Sequence, residues 1–126
     1  MKCNTLMIED NEQNRYLATF LLERNGHAVH HAWDGPSGIE RAASLHPDII
    51  LLDIQLPVMD GYSVARALRG IPGLQDVPIV AVTSYAMPGD REKALASGCT
   101  GYIEKPINPD TFVADVESHL PPEKRA

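Results

Sequence analysis

Residues 49–53 read Ile-Ile-Leu-Leu-Asp, four consecutive apolar residues followed by a carboxylate. A strand with one face in water alternates apolar and polar residues, whereas a strand without alternation is buried on both faces, as in a parallel sheet covered by helices. The run Ile79-Val80-Ala81-Val82 has the same character and ends at Thr83. Both runs therefore predict central strands of a parallel α/β sheet. Burying the carboxylate of Asp53 at the end of such a strand is costly unless that group has a partner.

Amphipathic helical patterns alternate with the apolar runs along the whole chain. Five short strands are predicted, at residues 6–8, 28–32, 49–52, 79–82 and 102–103. Five helices follow them, and these begin near Asn11, Gly35, Asp60, Gly89 and Asn108. The side chains expected to face inward from the first two helices are Leu17, Phe20, Leu21, Ile39, Ala42 and Ala43. The pattern is thus (βα)5, and its least apolar strand, 28–32, is expected at a sheet edge.

Length and composition limit the class of protein. The chain has 126 residues, of which 44% are hydrophobic and 22% charged, as in one soluble domain. We interpret residues 1–126 as a single domain with a core at about 4–120 and a polar tail at 121–126. No apolar run approaches the roughly 20 residues that span a bilayer, and the N-terminus does not read as a secretory signal, so we expect a cytoplasmic protein. A net charge of −6 without a basic cluster argues against DNA binding.

Polar side chains follow four of the five predicted strands. Glu9 and Asp10 come after the first strand, and the third, fourth and fifth strands are followed by Asp53, Thr83 and Lys105. In open parallel sheets, ligands bind at the carboxyl ends of the strands. We therefore expect these residues to converge on one pocket.

The acidic residues of this pocket predict a metal site. Three carboxylates close together repel one another, so they need a cation or a raised pKa. Oxygen ligands suit Mg²⁺, which binds through one or two carboxylates together with water and phosphate. Glu9, Asp10 and Asp53 are predicted to hold Mg²⁺, directly or through water, and the backbone carbonyl of Gln55 is a further predicted ligand.

The same residues predict phosphoryl transfer to a carboxylate. An aspartate can attack phosphorus and form an aspartyl phosphate, and the phosphoryl oxygens must then be neutralised. Mg²⁺, the ammonium of Lys105 and the hydroxyl of Thr83 are suited to that task. Asp53 is therefore the predicted phosphoacceptor. The added charge of roughly −1.5 to −2 would draw Thr83 and Lys105 inward, and we expect Tyr102 to respond by changing rotamer.

These positions, taken in order, match one known family. The matching residues are Glu9-Asp10, Asp53 in Leu-Leu-Asp-Ile-Gln-Leu-Pro, Pro57, Gly61, Thr83 after Ala-Val, and Tyr102 and Lys105-Pro106 in Gly-Tyr-Ile-Glu-Lys-Pro. The chain resembles the receiver domain of two-component response regulators over almost its whole length. The resemblance implies a flavodoxin-like, doubly wound parallel sheet with strand order 2-1-3-4-5. It also implies a cis peptide between Lys105 and Pro106.

The resemblance further implies a role in a phosphorelay. Receivers take a phosphoryl group from a histidine kinase or a histidine phosphotransfer protein, require Mg²⁺, and lose the group by slow self-hydrolysis. We therefore expect a phosphoacceptor rather than an enzyme. With no output domain evident, a stand-alone receiver or the receiver module of a hybrid kinase is expected, as a monomer or weak dimer. It would bind a downstream protein partner through helix 4, strand 5 and helix 5.

Three other functions are weighed against this interpretation. A phosphatase of the haloacid dehalogenase type carries a second aspartate two residues after its nucleophile, where this chain has Gln55, and its nucleophile follows the first strand. A flavin carrier needs a phosphate-binding loop after the first strand, where Glu9-Asp10 would repel phosphate. A binding module of the same fold that is not phosphorylated is the third alternative.

Several expectations concern residues outside the motifs. Tyr85 and Gln55 are expected to border the path of the hydrolytic water and to slow dephosphorylation. Cys3 and Cys99 lack metal spacing and are expected to be thiols rather than a disulfide. Five histidines show no ligand spacing and are expected at the surface or at a sheet edge; they are His27, His30, His31, His46 and His119.

Overall fold

A five-stranded parallel sheet with the strand order 2-1-3-4-5 organises the chain. The computed structural model describes residues 3–84 and 88–121. The strands are β1 (Asn4–Ile8), β2 (Ala28–Ala32), β3 (Ile49–Asp53), β4 (Ile79–Thr83) and β5 (Gly101–Glu104). The expected fold and strand order are confirmed, and β2 lies at an edge as its mixed composition predicts.

Five helices connect or follow the strands. They are α1 (Glu12–Arg24), α2 (Gly35–Leu45), α3 (Gly61–Arg69), α4 (Asp90–Ala96) and α5 (Phe112–Ser118). Asn11 and Asp60 cap α1 and α3 as predicted, because their side chains accept the backbone N–H groups of Asn14 and Ser63 at 2.9 and 3.0 Å. Within residues 3–84 and 88–121, none of these helices has the length and apolar character needed to cross a bilayer.

The last helix begins later than the sequence predicts. Asn108 starts a turn instead, and its side-chain oxygen accepts the backbone N–H of Asp110 at 2.9 Å. The helix itself begins at Phe112. The predicted inward stripe is correct, since Phe112, Val116 and Leu120 are all buried.

The sheet is buried on both faces. Every residue of β3 and β4 is buried, which confirms the interpretation of their unbroken apolar runs. Neighbouring side chains on a strand point to opposite faces, so Leu52 lies in the cluster beneath α2 and α3, whereas Leu51 lies in the cluster beneath α1 and α5. The carboxylate of Asp53, at the end of β3, therefore lies between two apolar layers.

The prediction of an inward-facing side chain is wrong at two positions. Phe20 in α1 is 50% exposed, and Ala43 in α2 is exposed. The buried positions of α1 are Ala18 and Leu22, since the helix is rotated relative to the stripe that the larger side chains suggest. In α2 the close contact with the sheet is made by Gly38, where an added Cβ would lie 2.6 Å from Cδ1 of Ile8 in β1.

Candidate functional site at the carboxyl edge of the sheet

The predicted site residues meet at the carboxyl edge of the central strands. Asp53 and Thr83 are the last residues of β3 and β4, and both are buried. Glu9 follows β1 and is 1% exposed, whereas its neighbour Asp10 is exposed. One oxygen from each of Glu9, Asp10 and Asp53 lies within 4.8 Å of the other two. The predicted convergence of the three carboxylates is therefore confirmed.

Lys105 lies between two of these carboxylates. Its Nζ is 2.7 Å from Oε1 of Glu9 and 3.3 Å from Oδ2 of Asp53. The backbone N–H of Lys105 donates to the carbonyl of Thr83 at 2.7 Å, which fixes the lysine beside the end of β4. The peptide between Lys105 and Pro106 is cis, as the resemblance implies.

Asp53 is held by its own loop. The backbone N–H of Gln55 donates to Oδ1 of Asp53 at 2.9 Å, while Oδ2 faces Lys105. This loop also meets α3, because the N–H of Gly61 donates to the carbonyl of Ile54 at 3.0 Å. The orientation of the Asp53 carboxylate is therefore set by the backbone N–H of Gln55 on one side and by the ammonium of Lys105 on the other. The part of the Gln55 carbonyl as a metal ligand stays a prediction.

The electrostatics of the site reflect an excess of negative charge. Burial, together with the hydrogen bond to Asp53, raises the pKa of Glu9 to about 7 against the opposing effect of Lys105. Burial by itself would lower the pKa of Lys105, but the adjoining carboxylates of Glu9 and Asp53 outweigh it and the pKa is raised. One ammonium thus only partly neutralises three carboxylates.

This donor set fits a hard divalent cation. All three clustered side chains offer carboxylate oxygens, and no sulfur or imidazole belongs to the cluster found among residues 3–84 and 88–121. Two of the three carboxylates are buried, so added positive charge would relieve a repulsion that water screens weakly. The residues present therefore match the ligand preference of Mg²⁺.

The two predicted switch residues lie on neighbouring strands. Thr83 pairs with Glu104 in the β4–β5 register, and Tyr102 pairs with Ala81 two positions earlier. Tyr102 is partly buried against the cluster beneath α2 and α3, and its burial raises its pKa. Tyr85, the predicted neighbour of the hydrolytic water, lies outside the described residues.

Arg15 and Trp33 lie at the rim of the site, and neither of them is among the residues predicted to form it. Arg15 donates to the backbone carbonyl of Glu9 at 2.8 Å, and its guanidinium lies 5.3 Å from the centroid of the Trp33 ring. A groove of about 460 Å³ beside them is lined by Asp10, Arg15, Trp33, Asp34 and Pro57. Applying the strand-end rule to β2 as well would have found Trp33 and Asp34, since both directly follow that strand.

Comparison with known proteins places the chain in a family. The model of the response regulator receiver domain matches residues 5–117. The chain belongs to the response regulator receiver domains, as the motifs at the strand ends indicate. It is 38% identical over 120 residues to the polar-differentiation response regulator DivK of Brucella ovis, an alignment that covers 95% of this chain and 98% of that protein.

Solved structures agree with this assignment. The chemotaxis protein CheY4 of Vibrio cholerae is 28% identical with a TM-score of 0.90, over 95% of this chain and all (100%) of that one. The receiver domain of a sensor histidine kinase from Pseudomonas aeruginosa is 33% identical with a TM-score of 0.86, over 94% of this chain and 98% of that one. That crystal structure has a magnesium ion coordinated in its active-site cleft.

Proposed function

We propose that this chain is a phosphorelay response regulator that accepts a phosphoryl group on Asp53 from a phosphohistidine, in a Mg²⁺-dependent reaction. One observation carries the proposal. A buried carboxylate at the end of an apolar strand has an ammonium 3.3 Å away, and two further carboxylates lie within 4.8 Å. This arrangement combines a nucleophile, a counter-charge for the phosphoryl oxygens and a set of metal ligands.

The proposed step is an in-line displacement at phosphorus. An oxygen of Asp53 forms a bond to phosphorus as the bond from phosphorus to the imidazole nitrogen breaks, and the electron pair of that bond stays with the nitrogen. The N–H of Gln55 at 2.9 Å orients the carboxylate before the attack. Lys105 and Thr83 are the proposed partners of the phosphoryl oxygens, one through its ammonium and the other through its hydroxyl.

Mg²⁺ is the proposed cofactor, held by Glu9, Asp10 and Asp53 with the Gln55 carbonyl. When bound, it would neutralise negative charge that the phosphoryl group brings into the site. The crystallised relative from Pseudomonas aeruginosa carries this ion in its cleft, and the present chain has a set of oxygen ligands suited to it. The aspartyl phosphate is proposed to be lost by slow self-hydrolysis, and the chain is proposed to turn over no external substrate. In this proposal it is a phosphoacceptor rather than an enzyme.

The proposed output is a change in partner binding at the face formed by α4, β5 and α5. Phosphorylation of Asp53 would add charge beside Lys105 and Thr83. Lys105 follows β5, and its backbone N–H donates to the carbonyl of Thr83 at the end of β4. Tyr102 on β5 is the proposed reporter, since it is only partly buried and lies on the strand that leads to Lys105. Leu95, in α4, is 46% exposed and is an apolar side chain that a protein partner could contact.

The test is phosphorylation by acetyl phosphate with Mg²⁺, followed by intact-mass measurement. The wild type should gain one phosphoryl group, and the gain should disappear in Asp53→Asn and with a chelator. The spectroscopic signal of Tyr102 should change only in the phosphorylated protein. Asp48→Asn is a matched control, because Asp48 lies at the other end of β3, where its carboxylate accepts the N–H of Asn4 at 2.8 Å.

Three outcomes would contradict the proposal. A wild type without an adduct would favour a binding module that works without phosphorylation. An adduct that persists in Asp53→Asn would place the modification elsewhere. Repeated turnover of a phosphomonoester by the wild type would indicate a phosphatase.

A further inference from the structure

Three polar side chains form a hydrogen-bonded relay at the amino edge of the sheet, opposite the carboxylate site; Cys3 and His27 are buried, and the side chain of Glu117 is 28% exposed. Cys3 precedes β1, His27 precedes β2, and Glu117 lies in α5. Sγ of Cys3 is 3.1 Å from Nδ1 of His27, and Nε2 of His27 is 2.7 Å from Oε2 of Glu117. Cys3 and His27 are 4% and 3% exposed. His27 does adjoin the edge strand β2, which is one of its two expected locations, but it is buried rather than at the surface. Its hydrogen bonds to Cys3 and Glu117 are the reason it is tolerated inside.

The backbone holds this relay in position. The N–H of Ala28 donates to the carbonyl of Cys3 at 2.9 Å, which places Cys3 beside the start of β2. The N–H of His27 donates to the carbonyl of Leu22 at 3.1 Å and ties the histidine to the end of α1. Backbone hydrogen bonds thus fix the positions of Cys3 and His27, and α5 brings the carboxylate of Glu117 to the ring.

The chemistry of the groups sets the positions of the protons. A carboxylate has no proton to donate, so the hydrogen bond to Glu117 requires a proton on Nε2 of His27. In the neutral ring, Nδ1 is then an acceptor, and Cys3 must donate its S–H to it. Transfer of that one proton gives a thiolate beside an imidazolium, and the imidazolium is stabilised by Glu117. A thiol, a base and an acid that orients the base are the arrangement of an activated nucleophile.

We propose that Cys3 is an activated thiol and a site of covalent modification by small electrophiles, hydrogen peroxide among them. In the peroxide reaction the thiolate sulfur attacks one oxygen, the O–O bond breaks, and the released hydroxide takes the proton from His27 to form water. The sulfur is oxidised to a sulfenic acid and the peroxide is reduced. The added oxygen lies against His27, so oxidation would disturb the contact that joins the sheet to α5.

Cys99 provides an internal reference. It is also buried, with the same 4% exposed fraction as Cys3. Burial raises the pKa of Cys99 to about 11, with only a partial offset from Arg69. Since the two residues have the same exposed fraction, we attribute a difference in the reactivity of their thiols to activation rather than to access.

The test measures alkylation of the folded chain by iodoacetamide, a small uncharged reagent, with each thiol followed separately in Cys3→Ser and Cys99→Ser. Cys3 should react at least about tenfold faster than Cys99 near neutral pH, as expected for an activated thiol. Its rate should also persist to lower pH than that of Cys99. With hydrogen peroxide and a 1,3-dione trap, the sulfenic adduct should form at Cys3 alone.

Glu117→Gln separates activation from simple opening of the structure. The amide keeps the shape but removes the charge that stabilises the imidazolium, so the Cys3 rate should fall several-fold. If opening of the sheet edge limits the reaction, weakening this contact should instead raise the rate. Asp115→Asn, an exposed position on the same helix, is the matched control and should leave the rate unchanged. Equal rates for Cys3 and Cys99, or a faster reaction in Glu117→Gln, would overturn the proposal.

Discussion

Glu9 is the residue that most constrains the candidate site. It is buried next to Asp53 and paired with Lys105 at 2.7 Å, and yet its pKa is raised to about 7. The raised pKa means that the surroundings favour the protonated form even with an ammonium in contact. A buried ion pair is commonly offset by the cost of removing its charges from water. The site without metal is therefore under electrostatic stress that a divalent cation would relieve.

This stress predicts a pH dependence of stability for the metal-free protein. Glu9 has a pKa of about 7 in the folded chain against 4.5 for an ordinary glutamate. Between these values the folded state holds a proton that the unfolded state has lost, so the free energy of unfolding should fall as the pH rises from about 4.5 to about 7. Urea unfolding in the presence of a chelator measures this slope.

The Glu9→Gln variant isolates the contribution of this group. Its unfolding free energy should show a smaller fall than the wild type over the same pH range. Glu12→Gln, at an exposed position in the first turn of α1, should keep the wild-type slope. Parallel curves for wild type and Glu9→Gln would show that the carboxyl of Glu9 titrates normally.

At the scale of elements, the contact between the β3–α3 loop and α3 positions the phosphoacceptor. Gly61, the first residue of α3, approaches this loop so closely that an added Cβ would lie 2.5 Å from Cα of Ile54 and 2.8 Å from the carbonyl oxygen of Asp53. Both are backbone atoms that cannot move aside as a flexible side chain would. Any side chain at position 61 must therefore shift α3 or the backbone that carries Asp53.

Gly61→Ala is predicted to cost about 1–3 kcal/mol of unfolding free energy, the usual range for overpacking. It should also slow phosphorylation of Asp53 by acetyl phosphate, because the loop is displaced. Gly70→Ala is the matched control at the other end of the same helix, where an added Cβ meets only the carbonyl of Ala67 at 3.4 Å. A Gly61→Ala protein as stable and as reactive as Gly70→Ala would disprove this role of the close approach.

At the scale of the whole molecule, the sheet has an apolar layer on each of its faces and a group of polar side chains at each end of its strands. Leu51 and Leu52 are adjacent in sequence but belong to different layers. The carboxylates lie at one edge, and the Cys3–His27 pair lies at the other. Strand β1 carries members of both groups, since Cys3 precedes its amino end and Glu9 and Asp10 follow its carboxyl end. The length of the strand therefore keeps the two groups of side chains apart in one small domain.

The two-layer architecture predicts that neighbouring core residues are equally important. Leu51→Ala and Leu52→Ala should each lower the unfolding free energy by about 2–5 kcal/mol, because each side chain is buried in a separate layer. Phe20→Ala, at a site that is 50% exposed, should cost much less. A near-neutral effect at either leucine, measured by urea unfolding, would mean that one face of the sheet is open to water.

Much of this protein was determined by local sequence patterns. The unbroken apolar runs that end at Asp53 and Thr83 predicted buried parallel strands, since only a sheet covered on both faces accepts them. Parallel strands bring their carboxyl ends to one edge, so Glu9, Asp10 and Lys105 were correctly placed beside them without any contact being known.

The tertiary structure decided what periodicity does not encode. Glu9 and Asp10 read as an equivalent pair, but the direction of the chain leaving β1 buries one and exposes the other. His27 and Glu117 are 90 positions apart, and no local pattern reports a contact over that separation. The sequence by itself determined which chemical groups reach each edge of the sheet. Packing of helices against strands decided which of them lose water, which pair with one another, and therefore which become reactive.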